Sequence, residues 1–151
     1  MEKIKVRLDF EKFPKKYTGE GENISPPIEI EGAKGASMAL IVDDPDAPGG
    51  TWVHWVLWNA PLMTNIPEGI LKDGKLAKPF KAFQGKNSGN GIGYDGPYPP
   101  KGHGPHRYFF KVYVLDRDLE LASGATKKDL EKAMTGRISQ MGEAMATYER
   151  K

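Results

Sequence analysis

The chain has 151 residues, enough for one domain with a full hydrophobic core. It carries 22 Lys and Arg against 20 Asp and Glu, a net charge of +2 without a basic block, so nucleic acid is not an expected partner. It contains no cysteine, which excludes disulfides, thiolate catalysis and cysteine-bound zinc. The N-terminus lacks a signal-peptide apolar run, and no segment approaches about 18 consecutive apolar residues. We therefore expect a cytoplasmic protein without an integral membrane segment.

The first part of the chain predicts β-strands. Apolar and charged residues alternate over 4–10 and again over 28–31, the pattern of half-buried strands. Residues 36–43 are mostly apolar, as in a strand buried on both faces. Residues 51–58 are rich in aromatic and β-branched types and predict the next strand, which ends at residues 59–61.

A long irregular stretch and a rigid loop follow. Gly and Pro punctuate residues 62–93, and long irregular segments of compact domains often carry function. A second Gly/Pro-rich loop, residues 94–105, leads into a predicted strand over 107–115. Proline restricts φ and glycine permits unusual φ, so such a loop holds one shape at little entropic cost. His103 and His106 lie where the loop meets the strand.

The C-terminal part changes period. Apolar residues over 130–148 lie three or four positions apart, which is typical of amphipathic helix, and Gly136 divides them into two short helices. Thr126, followed three residues later by Asp129, resembles a capping box. The methionines at these spacings are expected in the core or in dimer contacts. We therefore predict a single mainly β domain over residues 1–151 with a helical cap.

Strand parity places polar side chains at the ends of apolar rows, because alternate residues of a strand share a face. His106 and Tyr108 point the same way, and His54 is expected on the face of Val56. Asp44 continues the apolar row of its strand. Each of these polar side chains stands beside a loop, and together they predict a shared pocket. His103 is expected in the loop that leads to this pocket, exposed to solvent. Each also has a plain structural explanation, since Asp before proline favours turns and a histidine can be a hydrogen-bonded core residue.

Such a pocket suits a small anion. A carboxylate beside imidazoles stabilises and orients the imidazolium form. Two histidines, a tyrosine hydroxyl and loop amides could hold phosphate or a carboxylate. Trp52 or Tyr98 could accept a cation through cation–π attraction, so a zwitterionic phosphorylated head group would use both features.

Other patterns are weaker. Residues 91–96 match G-x-G-x-x-G, but the prolines that follow forbid the helix that a dinucleotide site needs. His103 and His106 could bind a metal with Asp44, but Gly and Pro between them exclude the helix on which such histidines usually ligate. No cysteine and no G-x-S-x-G elbow supplies a nucleophile. A weak hydrolase or isomerase could still use His54 or His106 as general base and Asp44 as orienter.

Several segments, in this order, carry a family resemblance: Ser25-Pro26-Pro27, Asp44-Pro45-Asp46-Ala47-Pro48, Trp52-Val53-His54-Trp55, Gly96-Pro97-Tyr98-Pro99-Pro100, His106-Arg107-Tyr108, Gly136-Arg137-Ile138 and Tyr148-Glu149-Arg150. They resemble the phosphatidylethanolamine-binding protein family, which includes Raf kinase inhibitor protein and the plant floral regulators. The short chain is similar to the bacterial and archaeal branch. Together the segments cover nearly the whole sequence and are highly specific.

The resemblance implies a β-sandwich-like fold with a large central antiparallel sheet, a C-terminal helix and an anion pocket near the end of the sheet. It also implies a cis peptide bond at Ala47–Pro48. Tyr98 stands where related prokaryotic proteins often carry a smaller residue, which would narrow the rim, and Arg137 stands where histidine is common. The residues assigned to the pocket and its rim are Asp44, His54, Tyr98, Pro100, His106 and Tyr108.

Family ligands include phosphate head groups, acetate-like anions and phosphorylated side chains, and family roles include kinase or protease inhibition. We therefore expect a non-catalytic protein that binds a small anionic or phosphorylated ligand, without cofactor or metal, and regulates a kinase or protease. The alternative is a serine-protease inhibitor that acts through an exposed loop, residues 94–105 or 62–93. The prokaryotic branch also implies a homodimer.

Overall fold

Two β-sheets of unequal size and one short α-helix form the protein, and the computed structural model describes all 151 residues. The elements are β1 (Glu2–Lys3), β2 (Lys5–Arg7), β3 (Ile28–Glu31), β4 (Ser37–Asp44), β5 (Trp52–Ala60), β6 (Asn65–Ile66), β7 (Lys75–Leu76), β8 (Ala82–Gln84), β9 (His106–Leu115), α1 (Lys127–Met134) and β10 (Ile138–Tyr148). A 3₁₀ turn covers Lys15–Tyr17. No helix has the length and apolarity that crossing a bilayer requires.

The larger sheet has the strand order β1–β10–β9–β4–β5–β8–β7, and the smaller one β2–β3–β6. Only the short pairing of β1 with β10 is parallel. The main core lies between the two sheets, and a smaller core lies between the other face of the large sheet and α1. The prediction of a mainly β fold with a large sheet and a C-terminal helix is confirmed.

The central strand β4 is buried along its whole length, as its apolar sequence predicted. It runs antiparallel to β5 on one side and to β9 on the other. Its last residue, Asp44, therefore lies beside Trp52 at the start of β5 and near His106 at the start of β9. This arrangement brings three polar segments that are distant in sequence to one end of the sheet.

The C-terminal helix begins where the sequence indicated, but it is shorter. Thr126 accepts a hydrogen bond from the amide of Asp129 at 3.2 Å, and the Asp129 carboxylate accepts one from the amide of Thr126 at 3.1 Å. The helix ends at Met134, and Gly136 follows with a φ of 75°. The helical prediction beyond Gly136 is wrong, because residues 138–148 form strand β10 along β9.

The error has a simple origin. A spacing of four is close to one helical turn and is also twice the strand period, so Met141 and Met145 suit either structure. Residues 138–148 form a strand because they pair with β9. Gly142 in this strand packs closely against the N-terminal segment, since a Cβ there would lie 2.3 Å from the carbonyl oxygen of Ile4. Met134 is buried under the sheet, whereas Met145 is exposed.

Three smaller expectations also change. The single strand predicted over 4–10 is replaced by β1 and β2, which belong to different sheets, and the chain passes between them at Ile4. The irregular stretch over 62–93 contains the short strands β6, β7 and β8. The expected cis bond at Ala47–Pro48 is wrong, since the cis peptide bond is at Lys78–Pro79.

Candidate ligand-binding site

A cavity of about 330 Å³ opens at the end of the large sheet, where β4, β5 and β9 meet the loop over residues 94–105. All six residues predicted for the pocket and its rim line this cavity. The complete lining is Asp44, Ala47, Pro48, Trp52, His54, Asp95, Gly96, Tyr98, Pro99, Pro100, His106 and Tyr108.

Asp44 and His106 form a buried pair at the back of the cavity. The Nδ1 atom of His106 lies 2.7 Å from Oδ2 of Asp44, and each residue is only 2% exposed. The other carboxylate oxygen of Asp44 accepts a hydrogen bond from the amide of Asp46 at 2.7 Å. A buried carboxylate requires such partners, and this one directs the Nδ1 proton of His106 toward itself.

The second ring nitrogen of His106 is also occupied. Its Nε2 lies 2.6 Å from Nδ1 of His103, and the two rings meet edge to face with centroids 4.8 Å apart. One proton lies between these two nitrogens. His103 is exposed as expected, but the sequence did not predict this contact.

A β-bulge sets the direction of His54. Val42 of β4 pairs with Trp55, whereas the next residue, Asp43, pairs with Val53, which leaves His54 as the extra residue of β5. A bulge of this kind shifts the alternation of a strand and re-aims a side chain. The prediction that His54 shares a face with Val56 is therefore wrong, because the bulge lies between these two residues.

The two sides of the bulge face different parts of the molecule. Val56 and Trp58 pack in the smaller core toward α1, while Trp55 packs in the main core. His54 lies on the cavity side, with its ring edge to face against Tyr108 at 5.2 Å. A local insertion, invisible to the period-two pattern, thus brings His54 into the site.

His54 presents a free nitrogen to the cavity. Its Nδ1 donates to the carbonyl oxygen of Asp95 at 2.6 Å, and no protein group contacts Nε2 as a hydrogen-bond partner. Burial lowers the pKa of His54 below its ordinary value of 6.5, against the opposing effect of the Asp95 carbonyl. At neutral pH the ring is therefore uncharged, and Nε2 carries a lone pair.

The hydroxyl of Tyr108 is the second free polar group. Tyr108 is 1% exposed, yet its hydroxyl has no hydrogen-bond partner within the protein. Burial, reinforced by the charge of Asp44, raises the pKa of Tyr108 well above its ordinary value. The hydroxyl therefore remains a proton donor throughout the physiological range.

Residues 96–100 form one wall of the mouth but supply few amide donors. Three of these five residues are prolines, which have no N–H, and the amide of Gly96 donates to Asn23 at 2.7 Å. Tyr98 is 58% exposed and carries the guanidinium of Arg150 at 3.8 Å from its ring centroid. Trp52, 41% exposed, is the freer aromatic side chain at the mouth.

Asp46 fastens the loop after β4 to the start of β9. Its carboxylate accepts hydrogen bonds from the amide and Nε of Arg107, each at 2.9 Å, and from Nη2 at 2.8 Å. This bidentate contact lowers the pKa of Asp46 to about 2. The clamp holds the wall that contains Ala47 and Pro48.

The structure does not support a metal site at the histidines or a dinucleotide site at residues 91–96. No group of three or more His, Asp and Glu side chains is arranged to hold a metal ion. The G-x-G-x-x-G match at residues 91–96 is followed by loop rather than helix.

The fold and the cavity define a two-sheet β protein with a polar pocket at one end of its large sheet. The family model of the phosphatidylethanolamine-binding proteins matches residues 4–149. The chain belongs to this family.

Relatives agree with this assignment. A UPF0098 protein of Pyrococcus abyssi is 53% identical over 155 residues, covering 99% of this chain and 87% of its own length. The crystal structure of a phosphatidylethanolamine-binding protein homologue from Chlamydia trachomatis has a TM-score of 0.87 at 36% identity, with 100% of each chain covered. Escherichia coli YbcL has a TM-score of 0.88 at 31% identity, covering 98% of this chain and 99% of its own.

A more distant likeness concerns the fold alone. A carboxypeptidase Y inhibitor, solved in complex with its cognate proteinase, has a TM-score of 0.51 at 16% identity and covers 99% of this chain and 83% of its own.

Proposed function

We propose that this protein binds a small phosphorylated or carboxylate anion in the cavity and does so without catalysis. The observation that carries the proposal is the pair of unpartnered polar atoms in the cavity, the Tyr108 hydroxyl and Nε2 of His54. Both atoms reach the surface of the cavity and neither has a hydrogen-bond partner in the protein, so both are available to a polar ligand. The volume of about 330 Å³ also suits a small molecule.

The two free atoms differ in what they recognise. The Tyr108 hydroxyl donates to an anionic oxygen. Neutral His54 accepts a hydrogen bond at Nε2, for example from a protonated phosphate oxygen, and becomes a donor once it takes up a proton. The site therefore favours a singly protonated phosphate, or a carboxylate whose binding is accompanied by proton uptake at His54.

The lining residues support binding rather than catalysis. They include no serine, threonine or cysteine that could serve as a nucleophile. His54 could still activate a water as general base, which is the hydrolase or isomerase alternative. A turnover screen with His54→Ala as control tests that alternative. Regulation of a kinase or protease, a cytoplasmic location and a homodimer are further parts of the proposal.

Calorimetric titration with phosphate, phosphoethanolamine and phosphotyrosine tests the binding proposal. We expect binding in the wild type and at least about tenfold weaker binding in both His54→Ala and His106→Ala. His54→Ala removes a hydrogen bond to a charged group, worth about 1.5–3 kcal/mol, and His106→Ala leaves the Asp44 carboxylate without its imidazole partner beside the bound anion. Arg117→Ala, an exposed change at the opposite end of β9, is the control and should bind normally. Absence of binding in the wild type, or binding in both histidine variants that is unchanged from the wild type, would refute the proposal.

A second candidate function is inhibition of a serine protease by the loop over residues 94–105. The loop is fixed by hydrogen bonds from Gly19 to Pro97 and from Gly102 to Arg150, both 2.9 Å, and it exposes Tyr98. Pre-organised exposed loops suit inhibitors of this kind. Titration of chymotrypsin-like and subtilisin-like proteases tests it, with Tyr98→Ala as the variant that should lose inhibition. Failure to inhibit at high molar excess rejects this candidate.

A further inference from the structure

Arg150, the penultimate residue, is tied to the rim of the cavity. Its guanidinium lies 3.8 Å from the ring centroid of Tyr98. Nη2 donates to the Tyr98 hydroxyl at 3.1 Å, and Nη1 donates to the carbonyl oxygen of Pro99 at 3.2 Å. The carbonyl oxygen of Arg150 accepts a further bond from the amide of Gly102 at 2.9 Å. Four contacts thus join the end of the chain to one wall of the site.

The guanidinium combines these rim contacts with one long ion pair to Glu20. Its Nε is a buried polar atom without a hydrogen-bond partner. The carboxylate of Glu20 lies 3.6 Å away, beyond hydrogen-bond distance, and also bonds the hydroxyl of Tyr148. A buried orphan donor is costly, so the position of Arg150 requires an explanation other than optimal charge pairing.

Tyr98 is also confined on the side of Gly19. A Cβ built on Gly19 would lie 2.8 Å from Cδ1 of Tyr98, so the backbone touches the ring. Tyr98 lines the cavity and is nevertheless 58% exposed. Packing alone therefore does not fix the ring, and the stacked, doubly hydrogen-bonded Arg150 supplies the missing restraint.

We propose that Arg150 is a specificity-determining residue that limits ligand size by holding Tyr98 at the mouth of the cavity. This inference rests on the anion site proposed above. A small anion that reaches His54 and Tyr108 passes the fixed ring, whereas a ligand with a bulky substituent needs the ring to move. Arg150 acts on the ligand through Tyr98 and is a positioning residue.

The test compares two probes, inorganic phosphate and phosphotyrosine, by calorimetry in the wild type, Arg150→Ala, Arg150→Lys, Tyr98→Ala and the double variant Arg150→Ala/Tyr98→Ala. We expect Arg150→Ala to raise phosphotyrosine affinity relative to phosphate by about three- to tenfold, the range of a cation–π contact. Arg150→Lys keeps the charge but loses the planar stack and should shift the ratio similarly. The double variant should equal Tyr98→Ala alone, since both changes act on one ring.

Each other outcome is informative. An unchanged ratio in Arg150→Ala, full restoration by Arg150→Lys, or additive effects in the double variant would overturn the inference while leaving the anion site intact. No phosphate binding in any variant, including the control Arg117→Ala, would overturn the proposed function and this inference together. Melting temperatures distinguish a selective change from loss of folding.

Discussion

Asp43 and Asp44 are neighbours in β4, and both are 2% exposed, but they face opposite sides of the large sheet. Asp43 contacts Nζ of Lys127 at 2.7 Å and Nζ of Lys111 at 3.2 Å. Asp44 contacts His106 at 2.7 Å and borders the cavity. The same residue type at the same depth thus has two lysines as partners on one face of the sheet and a pair of histidines on the other.

The difference separates a structural clamp from a candidate binding site. The ammonium groups of Lys111 and Lys127 satisfy the carboxylate of Asp43, and these contacts join β4, β9 and α1. Around Asp44, the partner is the imidazole of His106, and two nearby polar atoms have no partner in the protein. Burial of a carboxylate alone therefore does not indicate function, whereas its partners and the free groups beside it do.

The largest expected effect concerns the contacts of Asp43 with Lys111 and Lys127. Asp43→Ala should lower the free energy of unfolding by about 2–3 kcal/mol, because two lysines lose a buried partner but are partly exposed and can turn to water. Phosphate affinity should stay within about twofold of the wild type, since Asp43 faces away from the cavity. Urea unfolding and calorimetry measure the two quantities. A matching loss of affinity would mean that the two faces are coupled.

Tyr108→Phe should show the opposite behaviour. The hydroxyl has no protein partner, so the free energy of unfolding should change by no more than about 0.5 kcal/mol. Phosphate affinity should fall about tenfold, through loss of a hydrogen bond to a charged group. Tyr113→Phe is the matched control, since Tyr113 lies on β9 outside the cavity lining. Equal binding in both variants would contradict the assigned role of Tyr108.

His103→Ala should strengthen anion binding by about fivefold. His103 occupies Nε2 of His106. An anion that contacts this nitrogen in addition to His54 and Tyr108 must first break that bond, at a cost of about 1 kcal/mol. Nuclear magnetic resonance of the histidine rings, with and without phosphate, shows whether the contact is lost on binding. Lys101→Ala, an exposed change in the same loop, is the control. Weaker binding in His103→Ala would instead make His103 a ligand contact.

The smallest effect is the pH dependence contributed by His54. Its lowered pKa keeps it neutral at pH 7, and a bound anion favours its protonated form, so affinity should rise as the pH falls below 6.5 toward the lowered pKa of the free protein. Sulfate is the probe, because it does not titrate in this range. We expect about a threefold gain between roughly pH 7.5 and pH 5.5, reduced in His54→Gln. An identical pH profile in the two proteins would show that other groups control it.

Much of this site could be predicted from the sequence. Alternation in β9 placed His106 and Tyr108 on one face, and both line the cavity. The apolar run of β4 predicted a central strand and put Asp44 rather than Asp43 on the side of the main core. These predictions held because burial of one face imposes a period on the residues of a single element.

Other features depend on contacts between distant segments. At His54, β5 has one more residue than the paired part of β4, and this bulge is defined only by the register between the two strands. Residues 138–148 form a strand because β9 is available beside them, although their spacing also fits a helix.

The sequence by itself determined the element types over most of the chain and the residue types that gather at one end of the large sheet. Only the tertiary structure decided which polar atoms lack a hydrogen-bond partner in the protein. It also decided that His103 contacts Nε2 of His106 and that Arg150 stacks on Tyr98. The physical reason is separation along the chain: Arg150 and Tyr98 are 52 residues apart, and His106 and Asp44 are 62 apart. Periodicity reports how one element is buried, whereas the partner of each side chain is set by the register between strands and by the loops that they carry.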